Sequence, residues 1–235
     1  LISIVSVTYN NAIGLHQTLT SLVKSKCTPH EVIVIDGGSQ DATFTVISEF
    51  SDLLPIKFYS SKDAGIYDAM NKGLSLVSGD LIHYLNAGDT IQGNIYSNVK
   101  GPCRLPVRLT DETGQDLGYA TTGLGGYGYC HQGVIFPAKH EQYQLNYSIA
   151  ADLDLLIRTF PDGVLNLPLI RGGEVIYDLC GVSAKRRWSR DKQIGEILFK
   201  QKKYVAFFLF SSAAGAKYLM SKSIRRKIRQ LFSRK

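Results

Sequence analysis

Short β-branched runs alternate with amphipathic stretches through the first ninety residues. Ile2–Val7 is apolar enough for a buried strand. Thr8-Tyr9-Asn10-Asn11 ends it, and helical spacing follows to about Lys26. Val32–Ile35 repeats the strand signal and stops at Asp36-Gly37-Gly38-Ser39, ahead of a helix over Ala42–Phe50. Ile56–Tyr59 and Leu81–Leu85 predict two more strands around a helix at Tyr67–Val77. This rhythm predicts an α/β fold with a mostly parallel sheet flanked by helices. From Gln92 to Gly128 the periods blur into loops and short strands. His131–Pro137 reads as a strand entering the core, and Ala150–Phe160 as an amphipathic helix with Leu153, Leu156, Ile157 and Phe160 on one side. Val164–Ile170 and Glu174–Tyr177 are further strand candidates.

Ligands of open parallel sheets collect beyond the carboxyl ends of the strands. Polar residues crowd those ends here: Thr8 and Asn10, Asp36 and Ser39, Ser60 to Asp63, Asn86 and Asp89. Asp36, one residue past a buried strand, suits contact with the imide of a pyrimidine or the edge of a guanine, whereas Asp41 suits the cap of the next helix. Asp89 closes the turn Asn86-Ala87-Gly88-Asp89, which fits either a divalent ion bridging phosphate oxygens or a plain Asx turn. Asp152 and Asp154 open a helix and both favour its dipole. Being two apart they diverge, so at most one faces a site. His131 either lines that site or is a hydrogen-bonded core residue. Gly123 to Gly128 spells G-x-G-x-x-G, but a strand pattern follows it instead of a helix, which excludes a dinucleotide loop and leaves a flexible segment.

Composition adds less. At 235 residues and 44% apolar, the chain has the makings of one ordinary core and is not disordered. Cys27, Cys103, Cys130 and Cys180 are scattered without a C-x-x-C pair, as expected of reduced thiols in a cytosolic protein. No charged-then-apolar leader is visible, and the apolar-leaning run from Tyr204 to Ala216 is too short to span a bilayer. Charge changes the picture. Residues 1–184 carry 11 basic and 18 acidic side chains, while residues 185–235 carry 16 basic and 2 acidic. The switch divides the chain into a domain at 1–184 and a basic helical tail at 185–235. Met220, Ile224, Ile228 and Leu231 recur at helical spacing around Arg225, Arg226 and Arg229, which suits an anionic membrane leaflet. Upstream, Tyr204–Phe210 either packs on the domain or enters lipid. No aromatic stacking module supports a nucleic-acid partner.

Several segments occur together and in order: Ser6-Val7-Thr8-Tyr9-Asn10-Asn11, Ile35-Asp36-Gly37-Gly38-Ser39-Gln40-Asp41-Ala42-Thr43, and Asp63-Ala64-Gly65-Ile66-Tyr67-Asp68-Ala69-Met70-Asn71-Lys72-Gly73. Tyr84-Leu85-Asn86-Ala87-Gly88-Asp89, Cys130-His131-Gln132, Ala151-Asp152-Leu153-Asp154 and Gly181-Val182-Ser183 follow. Together they resemble family-2 glycosyltransferases of the GT-A fold, in the branch that builds bacterial exopolysaccharide, colanic-acid-type polymer and O-antigen. The resemblance implies a nucleotide-diphosphate sugar donor, a divalent metal (Mn²⁺ or Mg²⁺) and inversion at the anomeric carbon. It implies that Thr8, Asp36 and Asp63 hold the nucleotide base, with Tyr9, Asn10, Asp68 and Asn86 in the same donor site. Asp89 falls in the metal-binding segment, Asp152 at the catalytic base, and His131 and Gln132 at the acceptor or donor sugar. Met70 stands where many members place an arginine, which makes Lys72 the candidate phosphate contact. The metal segment reads Asn86-x-Gly88 before Asp89, as in the branch it resembles. The acceptor implied is a saccharide linked to polyprenol diphosphate, met at the cytoplasmic face of the inner membrane. Two other readings share the strand-end nucleotide site: a non-catalytic nucleotide-sugar binding protein, and a nucleotidyltransferase, for which the chain lacks a glycine- and lysine-rich phosphate loop after the first strand.

Overall fold

The computed structural model describes residues 1–25, 28–111, 113–121, 123–179 and 187–219. The alternation materialises as β1 (Ile2–Thr8), α1 (Ala12–Lys24), β2 (Glu31–Asp36), α2 (Thr43–Phe50), β3 (Ile56–Ser60), α3 (Ile66–Leu74) and β4 (Leu81–Tyr84). The chain continues through β5 (Thr90–Gly93), β6 (Cys103–Arg104), β7 (Val107–Thr110), β8 (Asp116–Tyr119), β9 (Val134–Pro137), α4 (Ala151–Thr159), β10 (Gly173–Asp178), α5 (Arg187–Lys200) and α6 (Tyr204–Leu219). The main sheet has the order β3-β2-β1-β4-β9-β6. Its first four strands are parallel, β9 runs against them, and β6 pairs antiparallel with β9. A second sheet, β5-β10-β7-β8, lies outside this pattern.

Alternation along each central strand builds two cores. Ile4, Val32 and Val34 face α1 and α2, whereas Val5, Val7, Ile33 and Ile35 face α3 and α4. Both faces are covered, so apolar residues fill most positions of β1 and β2, with Ser3, Ser6, Thr8, Glu31 and Asp36 as buried polar exceptions. Helix α3 approaches β1 so closely that a Cβ on Gly73 would lie 2.4 Å from Val5 Cγ1, which explains a glycine inside that helix. The order of strands reverses between β1 and β4. That is the switch point where an open α/β sheet leaves a crevice at its carboxyl edge.

The opposite edge is fastened by Glu31. Its carboxylate accepts from Ser3 Oγ (2.6 Å), Lys57 Nζ (2.7 Å) and the Ser78 amide (2.7 Å) and hydroxyl (2.9 Å). Burial alone raises this carboxyl, but the lysine and the Ser3 and Ser78 donors prevail and hold it down at about 2. A depressed carboxylate stabilises the fold above its unfolded value and loses that contribution as pH falls through the folded one. Glu31→Gln is therefore expected to cost on the order of 3 kcal/mol at pH 7. In urea unfolding series the gap to wild type should narrow as pH drops from 4.5 towards about 2.

Three expectations change. His131–Gly133 is a 3₁₀ turn, and the strand starts only at Val134. Val164–Ile170 is no strand: Val164–Asn166 is 3₁₀, and Leu169 makes a single bridge to Arg104. Gly163 at φ 95° and the donor-less Pro168 prevent a longer ladder. Third, the charge boundary near Lys185 is not a packing boundary. Ile197 and Leu198 of α5 and Ala206 of α6 are buried in the same core as α4. Gln193 Oε1 accepts the Ile149 and Ala150 amides, and Gln201 donates to Asp154. Tyr204–Phe210 does pack on the domain through Ala206 and Phe207, while Val205 on its other side is 75% exposed. The amphipathic stretch Met220–Leu231, Cys27, Cys180 and Gly181-Val182-Ser183 lie outside the described residues. Among the described residues no helix is long and apolar enough to cross a membrane.

Candidate active site

Parallel register sets Thr8 beside Asp36, and Asp36 beside Ser60, so three neighbouring strand ends are level. Asp36 is 2% exposed and turns back on the protein. It accepts from Ser60 Oγ at 2.6 Å, from the Ser39 amide at 3.0 Å and from the Ser39 hydroxyl. It thereby closes the turn after β2 and ties it to β3. Asn10 has a similar task. Held at φ 47°, it accepts the Gln40 amide at 2.9 Å and gives its own amide to Ser39 Oγ at 2.7 Å. The N-cap of α2 is Ala42, with no side-chain cap bond, and Asp41 sits one residue before it, receiving the Thr43 amide and hydroxyl on one oxygen and the Ala12 amide on the other.

The wall facing solvent is made by Tyr9, Gly37 and Asp63. A Cβ on Gly37 would sit 2.7 Å from Asp63 Oδ2 and 3.1 Å from Tyr9 Cδ2, so this glycine lets the ring and the carboxylate share one surface. Tyr9 is exposed there. Asp63 receives the Gly65 amide at 2.9 Å. Asp68 receives the Ala64 amide and pairs with Lys72, whose Nζ also donates to the Lys62 carbonyl at 2.7 Å. Lys72 thus stands over the 61–63 segment. Thr8 Oγ1 and Asn86 Oδ1, both nine-tenths buried, have no hydrogen-bond partner within the protein. Such orphaned acceptors are rare unless a ligand, ion or water completes them.

Asn86-Ala87-Gly88-Asp89 abuts the end of β1 through Ala87 N–H to the Val7 carbonyl (3.1 Å). Gly88 takes φ 106°, a conformation that glycine adopts without strain. Asp89 is 7% exposed. Asn86 and Asp89 offer only oxygen donors, the chemistry that Mg²⁺ or Mn²⁺ prefers. Among the described residues no group of three or more His, Cys, Asp or Glu gathers anywhere. Asn86 and Asp89 would suit such an ion as an open two-residue site and not as a closed protein cage.

Asp152 stands on the first turn of α4 and lines a pocket of about 310 Å³ with Thr121, Tyr129, Leu153, Arg190 and Ile194. Tyr67, from the Gly-Ile-Tyr-Asp motif on α3, gives its hydroxyl to the Ile149 carbonyl at 2.6 Å and lies 3.4 Å from Asp152 Oδ1. Burial raises the Asp152 carboxyl above the usual range, against the Leu153 amide and the Tyr67 hydroxyl, which lower it. The Cys130 thiol is pushed up first by burial and then by the Asp89 carboxylate, with a further contribution from Asp152.

Asp154 points away. It is fully buried and bonded to Arg158 Nε at 2.8 Å. His131 belongs to the core. It packs against Tyr84, Phe136 and Tyr143, hydrogen-bonds the Tyr143 hydroxyl, and is held neutral at about 3, by burial and then by His140 and His83. Gln132 sits beside Cys130, accepting its thiol at 3.3 Å. The glycine-rich segment forms a 3₁₀ turn, and Gly123, Leu124 and Gly128 line the Asp152 pocket. Tyr67 and Arg190 are the site residues that sequence reasoning did not single out. Tyr67 lay inside a quoted motif, whereas Arg190 was counted only as charge. A larger groove, about 650 Å³, runs between α1 and the second sheet and touches this site only at Gly88.

A doubly wound sheet with a strand-edge crevice and acids from two separate segments beside it is the GT-A glycosyltransferase arrangement. Residues 3–95 match the model of "Glycosyl transferase family 2". A "PGL/p-HBAD biosynthesis glycosyltransferase" of Mycobacterium tuberculosis (strain ATCC 25177 / H37Ra) is 26% identical over 188 residues, 70% of this chain and 72% of that protein. The "Validoxylamine A glucosyltransferase" of Streptomyces hygroscopicus subsp. limoneus is 37% identical over 92 residues, 37% of this chain and 20% of that one. Among solved structures, S. aureus TarS superposes with a TM-score of 0.62 at 16% identity. This chain spans 39% of it, with 84% of its own length covered. A TarS 1-349 complex with UDP-GlcNAc gives 0.61 at 16% identity, covering 85% of this chain and 65% of that one. Residues 3–95 thus correspond to a glycosyl transferase family 2 domain, and the chain is similar in sequence and fold to glycosyltransferases.

Proposed function

We propose that this protein transfers a sugar, with inversion, from a nucleotide-diphosphate sugar to a hydroxyl of a saccharide acceptor. The observation that carries the reading is the pair of buried, unpartnered side-chain atoms at the strand-end crevice, Thr8 Oγ1 and Asn86 Oδ1, next to the turn that carries Asp89. Tyr9, Thr8 and Asp63 receive the nucleoside, with Asp36 holding the loop behind them. Lys72 is the phosphate contact. Asp152 accepts the proton of the attacking hydroxyl, a task favoured by a carboxyl whose burial raises its basicity. Its neighbour Asp154 is locked to Arg158, so α4 offers one carboxylate and not a nucleophile-plus-base pair; a single displacement inverts the anomeric centre. Asn86 and Asp89 would hold a divalent cation, which when bound offsets the charge of the departing diphosphate. The acceptor is a polyprenol-diphosphate-linked saccharide of cell-surface polysaccharide synthesis. The basic segment from Lys185 onwards rests on the anionic cytoplasmic face of the inner membrane.

Calorimetry with uridine, guanosine and thymidine diphosphates tests the donor half, with and without Mn²⁺ and alongside Asp89→Ala. One nucleotide is expected to bind at least ten times more tightly with Mn²⁺, and Asp89→Ala to lose that gain. Absence of binding by all three removes the strand-end site from the mechanism.

A further inference from the structure

Helix α1 carries one polar residue in an otherwise apolar buried stripe: Leu15, Thr18, Leu19 and Leu22. Thr18 is completely buried, and nothing in the core asks for a hydroxyl there. Its Oγ1 reaches across to the Asn86–Asp89 turn. It accepts the Gly88 amide at 3.0 Å and lies 2.7 Å from the Asp89 carbonyl, with the Asn86 carbonyl at 3.1 Å. A hydroxyl has one hydrogen to give, and the Asp89 carbonyl is the nearest taker. Asn11, two helical turns earlier on the same face, adds a second clasp. Its Oδ1 caps α1 by accepting the Gly14 amide, and its Nδ2 donates to the Ala87 carbonyl at 3.1 Å. The turn is thus held by two side chains of one helix, each engaging backbone and not side-chain atoms.

We infer that Thr18, assisted by Asn11, is a positioning residue for the cation site: it presets the backbone on which Asp89 is presented. This rests on the reading that Asp89 holds the cation. The physical case is preorganisation. A site with a single protein carboxylate has little Coulomb energy to spare for reshaping a glycine-containing turn at each binding event. Groups that orient a ligand residue commonly change metal affinity ten- to a hundredfold when removed. The hydroxyl also lies 3.1 Å from the Gly14 carbonyl of its own helix, as a purely structural threonine would, but its shortest contact, 2.7 Å, goes to the turn.

Five proteins decide it: wild type, Thr18→Val, Thr18→Ser, Asn11→Ser and the reference Asp89→Ala. UDP binding is measured by calorimetry with and without Mn²⁺, and thermal melting is followed in parallel. Thr18→Val is expected to weaken Mn²⁺-dependent UDP binding by about 10- to 100-fold and to leave metal-free UDP binding unchanged. Thr18→Ser, which restores the hydroxyl, stays within about threefold of wild type. Asn11→Ser keeps a good helix cap but loses the Ala87 clasp, so it weakens the Mn²⁺-dependent binding several-fold without lowering the melting temperature. That variant decides the matter if Thr18→Val does not fold. Wild-type Mn²⁺ dependence in Asn11→Ser and in folded Thr18→Val, with Asp89→Ala defective, overturns the inference alone. Full Mn²⁺ dependence in Asp89→Ala, or none in wild type, overturns the cation reading and the inference with it.

Discussion

Asp152→Asn is expected to lower turnover by about 10³-fold while nucleotide binding stays within a few-fold of wild type, because the amide keeps the shape of the pocket and loses only the proton acceptor. The pH profile identifies the role. Burial raises the Asp152 carboxyl, so wild-type kcat/KM should fall on the acid side through an apparent pKa above the ordinary 3.8, and this limb should be absent from the residual activity of the variant. Stability moves in the opposite sense. A carboxyl whose folded pKa lies above its unfolded value binds its proton more tightly when folded, so ionising it costs stability as pH rises through that interval. Asp152→Asn removes this cost. Its Tm at pH 7 should equal or exceed that of wild type, with the difference closing below pH 3.8. Full turnover in the variant, or a loss of nucleotide affinity as large as the loss of turnover, would place the base elsewhere.

The parallel half of the fold was legible because its strands are buried on both faces. Val32–Ile35 is an unbroken β-branched run, Ile2–Val7 is one interrupted only by the small, buried Ser3 and Ser6, and the polar break after each is a real strand end. Of the second sheet only β10 was legible, as Glu174–Tyr177. Its strands β5, β7 and β8 are four residues long, carry Gly93 and Gly118 at positive φ, and are ordered around β10, which follows them by dozens of residues. Site positions were readable in the same unequal way. A polar residue past a buried strand marks the edge, but not which way its side chain is engaged. Asp36 has the position of a ligand contact and an environment built by Ser39 and by Ser60, a residue no local pattern connects to it. Thr18 was readable in principle, as a hydroxyl interrupting a leucine stripe. Arg190 was hidden by its surroundings, since a basic run signals a charged partner and says nothing of one member lining a pocket.

Arg158→Met is expected to destabilise the protein by about 3–5 kcal/mol, because it strips the partner from a fully buried carboxylate. Asp154 then keeps the Gln201 amide, 2.9 Å from Oδ1, as its one side-chain partner among the described residues. The same change releases Glu141 and the Gln142 carbonyl, but Glu141 is 75% exposed and contributes little. At about 2–4 °C per kcal/mol for a chain of this size, the melting temperature falls by roughly 10 °C. Asp154→Asn combined with Arg158→Met should recover most of that loss, since the neutral amide can still bond Gln201 and no charge is left buried. Turnover per folded molecule should stay within a few-fold of wild type in both variants. Residues two apart on a helix are turned about 200° from each other, so the Asp154 face and the Asp152 face are separate. Chemical unfolding together with active-site titration of the folded fraction measures both quantities. Loss of turnover without loss of stability in Arg158→Met would assign Asp154 to the chemistry and reverse the roles of the two acids on α4.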